Sequence, residues 1–229
     1  MSCCSVVAVV ETSRRQLRAS RGSLVRARFG RSGGVDGNER LTAASGAMLF
    51  LLLAAEGVTV LFVRPLLSAH VFIGMLLIPP VALKLGSTGW RFVRYYAGGR
   101  EYRAKGAPLL ALRMLAPLVV ASTLALFGTG VALLVVGPGP GVVLGLHKAS
   151  FVVWLAATGI HVLAYLWRVP GLVAADWRPA GAAAAVGGSF VRRTVLAGAL
   201  VAGAILAVAT VRYAQPWVQW AALFRGHDR

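Results

Sequence analysis

The chain has 229 residues, of which 58% are hydrophobic and 14% are charged, and its mean hydropathy is +0.73. A water-soluble domain of this length does not need so large an apolar fraction, so the composition indicates a polytopic membrane protein. Lys and Arg number 24 against 7 Asp and Glu, a balance that is also found in proteins that bind nucleic acid. Because the basic residues cluster between apolar runs, as the positive-inside rule describes, we expect no nucleic-acid partner.

The N-terminal segment differs from the rest of the chain. Residues 1–40 contain eight arginines, many Ser and Gly residues and little periodic apolar pattern. A segment of this composition cannot bury a core, so we interpret it as a disordered, basic cytoplasmic tail. A protein whose translation begins near Asn38 is an open alternative. Cys3 and Cys4 are adjacent and lack the spacing of metal ligands.

Five apolar runs follow, each close to or above the length of about 18–20 residues that a helix needs to cross a bilayer. They span residues 41–63, 65–85, 115–136, 142–167 and 194–211. Only helices satisfy their own backbone hydrogen bonds in lipid at this density of spans. We therefore predict an all-α fold, a polytopic transmembrane helical bundle over residues 41–213.

The distribution of Lys and Arg predicts the orientation of this bundle. With the N-terminus inside, the cytoplasmic side collects residues 1–40, 84–113 and 168–193, which together hold 19 of the 24 basic residues. The positive-inside rule therefore predicts a cytoplasmic N-terminus and, after five spans, an external C-terminus.

Two segments outside the apolar runs combine aromatic and basic residues, which is typical of the membrane interface. In the 84–113 connection, TGWRFVRYYAGGREYRAKG predicts a short helix lying at the inner membrane surface, with a solvated loop as the alternative. Residues 214–229 contain AQPWVQWAALF and are predicted to form an interfacial C-terminal tail. The GPGPG sequence at 137–141 predicts a tight turn between the third and fourth runs.

The fourth run carries two histidines, His147 and His161, which are fourteen residues apart. Fourteen steps of about 100° return a helix to within about 40° of its starting direction, about 21 Å further along. Both imidazoles therefore lie on one face, at two depths of a hydrocarbon layer about 30 Å thick. Ionisable side chains are costly in lipid and usually have a functional partner there, so the pair indicates a site.

A third histidine, His70, lies near the outer end of the second run, and His147 lies near the outer end of the fourth. Both helices run from outside to inside in the predicted topology, so the two histidines share a depth. Two imidazoles at one depth favour axial ligation of one haem b from its opposite faces. Gly74, one turn after His70, leaves room for a porphyrin. The alternative is that each histidine only hydrogen-bonds within the core.

His161 indicates a second, inner haem site, for which the ligand from another helix is open. One candidate is Lys84, which follows His70 by fourteen residues. It would have to lose its proton, and a lysine near a helix end commonly snorkels instead. Met114, at the inner start of the third run, is the other candidate, since methionine is a known haem ligand. The Pro79–Pro80 pair is expected to kink the second run and disturb the register, so we expect one haem, with two as the alternative.

Two further residues in the runs have open interpretations. Glu56 is an acid within the first span, where it could contact a quinone or a proton path, or form a structural pair with Arg64. Trp154 lies midway between His147 and His161 on the same face, where it could stand between two haems or only pack.

Three stretches of the chain carry a family resemblance: RLTAASGAMLFLLLAAEGVTVL, LLSAHVFIGMLLIPPVALKLGSTGWRFVRYY and LHKASFVVWLAATGIHVLAYLW. They resemble the bacterial b-type membrane cytochromes, which include the cytochrome b subunits of membrane-bound formate dehydrogenase and nickel–iron hydrogenase and their compact actinobacterial relatives. The resemblance covers roughly residues 40–175. It implies a four-helix haem-binding core, with the fifth span added at the C-terminus, in a bacterial plasma membrane. By this resemblance His70, His147 and His161 are haem ligands, whereas the fourth histidine of the family pattern is missing here.

The resemblance also implies a function, which is electron transfer between a quinone pool and a partner oxidoreductase subunit rather than catalysis by this chain. Two other classes of protein stay open on the sequence alone. One is a small proton-coupled transporter that uses Glu56 and the histidines. The other is a structural membrane anchor without haem, in which the histidines hydrogen-bond between helices.

Overall fold

The computed structural model describes residues 34–104, 110–139, 141–167, 170–171, 173–174 and 188–225. Within these ranges the chain is helical and contains no strand. In chain order the helices are α1 (Gly34–Leu61), α2 (Leu67–Tyr96), the short α3 (Arg100–Ala104), α4 (Leu110–Val136), α5 (Val142–Tyr165), α6 (Ser189–Thr210) and α7 (Gln215–Arg225), with a 3-10 turn (Val211–Ala214) before α7.

Five helical segments are long and apolar enough to cross a membrane: Gly34–Leu61, Leu67–Tyr96, Arg113–Val136, Val142–Ala164 and Ser189–Leu223. Large apolar side chains point away from the bundle, among them Leu51, which is 70% exposed, and Val135, which is 83% exposed. Such a surface is unfavourable in water and suits contact with lipid. The prediction of an all-α, multi-pass membrane bundle is confirmed.

Two helix boundaries differ from the sequence prediction. Helix α1 begins at Gly34, inside the segment predicted to be a disordered tail, and residues 1–33 lie outside the described residues. The early start has a packing reason, because the Asn38 side chain donates to the backbone carbonyl of Ser87 on α2 at 3.2 Å. Thr42 adds a second contact, since its hydroxyl lies 3.1 Å from that of Ser87.

Helix α2 is longer than predicted and continues to Tyr96. The predicted separate interfacial helix, with its alternative of a solvated loop, is therefore wrong for residues 86–96, which extend the helix that carries His70. No proline follows Pro80 in this stretch, and the two glycines weaken a helix without ending it. A separate short helix forms only at Arg100–Ala104.

The long helices fall into two groups. Helix α2 packs extensively against α1 and α6, and α4 packs extensively against α5, whereas direct packing of α2 on α5 is slight. At the end of the bundle where α2 and α5 begin, which we name the His70 end, the buried Trp217 of α7 joins the groups. Its indole N–H donates to the backbone carbonyl of Leu133 on α4 at 3.0 Å. The predicted interfacial tail therefore packs partly on the bundle.

The close packing of α6 on α2 depends on Pro80 and Gly203. Pro80 has no N–H, so the backbone carbonyl of Leu76, four residues earlier, lacks its helical donor. Gly203 of α6 is buried against this carbonyl, and a Cβ added at Gly203 would overlap its oxygen. The small residue thus lets the α6 backbone approach α2 closely, as is common between membrane helices.

We expect Gly203→Ala to destabilise the bundle, because the added methyl group cannot fit against the rigid α2 backbone. Overpacking of this kind typically costs about 1–3 kcal/mol. The measurement is the midpoint of thermal unfolding in detergent, followed by helical circular dichroism. Gly198→Ala on the same helix is the matched control, since a Cβ there meets nothing within 4 Å. Equal midpoints for the two variants would contradict the close approach.

Candidate functional site

His70 and His147 meet at the His70 end of the bundle. His70 lies in the first turn of α2 and His147 lies near the start of α5. Their ring centroids are 6.4 Å apart, and the ring planes make an angle of 77°. The two rings thus approach each other across helices that hardly pack directly. The sequence predicted a shared membrane depth for these two histidines, and the structure places their rings close together.

The Nδ1 atom of His70 is held by two residues of α1. It lies 2.8 Å from Oε1 of Glu56 and 3.1 Å from the hydroxyl of Thr59. The Thr59 hydroxyl in turn donates to two oxygens of Glu56, the backbone carbonyl oxygen at 2.7 Å and Oε2 of the side chain at 3.0 Å. Because a carboxylate only accepts, Nδ1 of His70 carries the proton and donates it to Glu56.

The Nδ1 atom of His147 is held by Thr129 of α4, whose hydroxyl lies 3.1 Å away. The same hydroxyl lies 2.7 Å from the backbone carbonyl of Ala125 and 3.0 Å from that of Leu126, so its single proton goes to the backbone. The Thr129 oxygen therefore accepts from Nδ1–H of His147. A Cβ at Gly130 would lie 3.3 Å from Cε1 of His147, so the ring packs closely against α4.

Both rings consequently carry the proton on Nδ1 and the lone pair on Nε2. The contacts with Glu56, Thr59 and Thr129 all reach the rings through Nδ1, and none of them involves Nε2. This is the tautomer that a metal-binding histidine needs, with its other nitrogen oriented by a carboxylate or a hydroxyl.

The separation of the rings fits a haem. Two imidazoles that bind one iron from opposite sides, with metal–nitrogen distances of about 2.0 Å, have ring centroids about 6.3 Å apart. The observed 6.4 Å agrees with this value. The described residues contain no group of three or more His, Cys, Asp or Glu side chains that could hold a metal ion. The two imidazoles of His70 and His147 are thus a pair of candidate ligands without a third such side chain in the described part of the chain.

The inner candidates are arranged less clearly. His161 lies near enough to Lys84 for their side chains to interact electrostatically, and α2 continues as one helix through the Pro79–Pro80 pair. The Lys84 ammonium donates to the backbone carbonyl of Thr42 at 2.6 Å. Met114 is 67% exposed on α4, which is not the environment of a ligand to a buried inner haem. Of the two predicted partners for His161, the structure brings Lys84 near it.

Sequence reasoning missed Thr59 and Thr129, the two hydroxyls that hold the rings. The only signal for Thr59 is its position three residues after Glu56, which places both on one face of α1. No sequence pattern pairs Thr129 with His147, since that contact depends on how α4 packs against α5. Glu56 contacts both His70 and Thr59.

Two other predicted roles are changed by the observed contacts. The Trp154 indole N–H donates to the hydroxyl of Thr123 on α4 at 3.1 Å, and the ring stacks near Phe151. These contacts favour the packing interpretation of Trp154. A Cβ at Gly74 would lie 3.7 Å from Oε1 of Glu56, so this glycine faces the acid that holds His70.

Comparison of the chain with known protein families, with curated proteins and with solved structures finds no match. The site itself therefore carries the functional argument.

We expect Trp154→Phe to loosen the α4–α5 pair that orients His147, because the Thr123 hydroxyl loses the indole N–H. Hydrogen bonds between membrane helices contribute about 0.6 kcal/mol on average and about 1.7 kcal/mol at most. Unfolding by sodium dodecyl sulfate in mixed micelles measures the loss. Trp167→Phe is the control, since Trp167 is 89% exposed, and an equal loss in both variants would contradict the prediction.

Proposed function

We propose that the protein is a haem-b membrane subunit that carries electrons between a quinone pool and a partner oxidoreductase, with His70 and His147 as axial ligands of the haem. One observation carries the proposal. It is the pair of imidazoles whose centroids are 6.4 Å apart and whose Nδ1 atoms are both held by side chains of other helices.

The arrangement of the helices supports the same proposal. Helix α2 carries one histidine of the close pair and α5 carries the other, but the two helices pack little directly. The two groups of helices therefore need not separate far to hold a flat cofactor. Glu56 and Thr129 hold the rings in place before any cofactor binds, which reduces the entropy lost on ligation.

In this proposal the haem, when bound, supplies reversible one-electron chemistry. The chain supplies the two imidazoles, the groups that orient them and an apolar environment that limits contact with water. We assign no catalytic residue to the chain, because the substrate chemistry would belong to the partner oxidoreductase. The membrane is the bacterial plasma membrane, with the N-terminus on the cytoplasmic side, as the Lys and Arg distribution favours.

A second haem between His161 and Lys84 is the alternative stoichiometry. The position of Lys84 on α2, fourteen residues after His70, matches the fourteen residues from His147 to His161 on α5 and favours it. The hydrogen bond from the Lys84 ammonium to Thr42 opposes it, since a lysine that ligates iron must present a lone pair instead.

The number of haems per chain tests the proposal directly. With haem supplied during expression, we expect the purified protein to contain one haem b per chain by pyridine haemochrome assay and to show the sharp reduced α band of a low-spin b-type cytochrome. His161→Ala should keep this haem. Two haems in the wild type, reduced to one by His161→Ala, would establish the second site. A wild-type protein without haem would overturn the proposal.

The ligands are tested by substitution. We expect His70→Ala and His147→Ala each to lose the low-spin spectrum, because one axial nitrogen is removed. Val153→Ala is the matched control, since Val153 lies on the same helix as His147 and is 47% exposed. His70→Gly provides a second variant, in which added imidazole should restore the spectrum. Restoration separates the loss of a ligand from the loss of the fold.

A structural anchor without haem is the second candidate. The hydrogen bonds from His70 to α1 and from His147 to α4 favour it, since they alone could hold the helices together. In that case the same substitutions would lower the temperature of unfolding, whereas the protein would carry no pigment at all.

A further inference from the structure

The two proposed axial ligands have different partners on Nδ1. His70 donates to a carboxyl oxygen of Glu56 at 2.8 Å, whereas the partner of His147 is the neutral hydroxyl of Thr129 at 3.1 Å. The Glu56 side chain is 14% exposed and the His70 side chain is 23% exposed, so water screens their interaction only partly. The site is therefore asymmetric in charge, although its two ligands are the same residue type.

Thr59 makes the position of the Glu56 carboxyl group specific. Its hydroxyl, on a residue that is 3% exposed, lies 3.0 Å from Oε2 while Oε1 faces His70. The same hydroxyl lies 3.1 Å from Nδ1 of His70. The carboxyl group, the hydroxyl and the imidazole thus form one closed cluster between α1 and α2, and each fixes the orientation of the others.

A carboxylate that accepts from Nδ1–H makes the imidazole a stronger donor through Nε2. A stronger donor and a nearby negative charge both favour the more highly charged ferric iron over ferrous iron. The hydroxyl of Thr129 exerts the same influence on His147 much more weakly, because it carries no net charge.

We infer that Glu56 is a positioning residue of this site, which fixes His70 as the stronger of the two axial donors and thereby lowers the reduction potential of the haem. The inference rests on the proposed function, because it needs a haem between His70 and His147. It goes beyond that function by assigning the control of the potential to one acid on α1, which itself does not bind iron.

The test is a potentiometric titration of the purified haem protein, comparing wild type, Glu56→Gln and Thr129→Val. Gln keeps a carbonyl oxygen that can accept from His70 but removes the charge. We expect Glu56→Gln to shift the equilibrium between ferric and ferrous haem at least tenfold towards the ferrous form. This corresponds to a reduction potential at least about 59 mV higher for a one-electron couple. Thr129→Val should shift it less, and Val153→Ala should leave it unchanged.

Electron paramagnetic resonance of the ferric protein gives a second measurement. The g anisotropy of a low-spin haem depends on the donor strength of its imidazoles, so Glu56→Gln should change it and Glu56→Asp should change it less. A role of Glu56 in helix packing alone would move the unfolding temperature and leave both the potential and the g values in place.

The outcomes separate this inference from the proposed function. A wild-type protein without haem overturns both. A wild-type protein with haem whose potential does not change in Glu56→Gln overturns this inference alone. If Glu56→Gln retains no haem, Thr59→Val decides, because it keeps the acid but frees Oε2. A potential that differs from the wild-type value supports the inference, and a potential equal to that of wild type overturns it.

Discussion

The approach of His70 to His147 is the contact on which the rest of the site depends. It lies between two groups of helices, α1–α2–α6 and α4–α5. The two helices that carry the histidines, α2 and α5, pack little directly on each other. In lipid, helices gain little from burying apolar side chains against one another, so specific polar contacts and close backbone packing determine where they meet. The two imidazole rings approach each other at the His70 end, and the hydrogen bond of the Trp217 indole there is a polar contact of this kind.

Each histidine is oriented by a neighbour from its own group of helices. Glu56 and Thr59 of α1 hold His70 of α2, and Thr129 of α4 holds His147 of α5. The rings therefore do not depend on each other for their orientation. Each ring is held in place by side chains of a neighbouring helix, which is how a preorganised site is built.

The sequence predicted the main features of the fold because they follow from composition and periodicity. The five apolar runs became five helices that are long enough to cross a membrane. The fourteen-residue spacing repeats from His70 to Lys84 and from His147 to His161, and α2 continues as one helix through its two prolines. The helix ends were predicted less well. The extension of α2 to Tyr96 and the start of α1 at Gly34 depend on contacts such as that of Asn38 with Ser87. No local sequence pattern predicts such a contact.

The sequence by itself determined the class of protein and the number of spans, because hydropathy and helical repeat are local properties of the chain. Only the tertiary structure decided which side chains meet. It assigned Glu56 to His70 and Thr129 to His147, brought Lys84 near His161 and left Met114 on the exposed surface. The physical reason is that a partner on another helix is fixed by the rotation and the distance of packed helices. These in turn depend on small residues such as Gly203, which packs against the α2 backbone, and Gly130, which packs against the His147 ring.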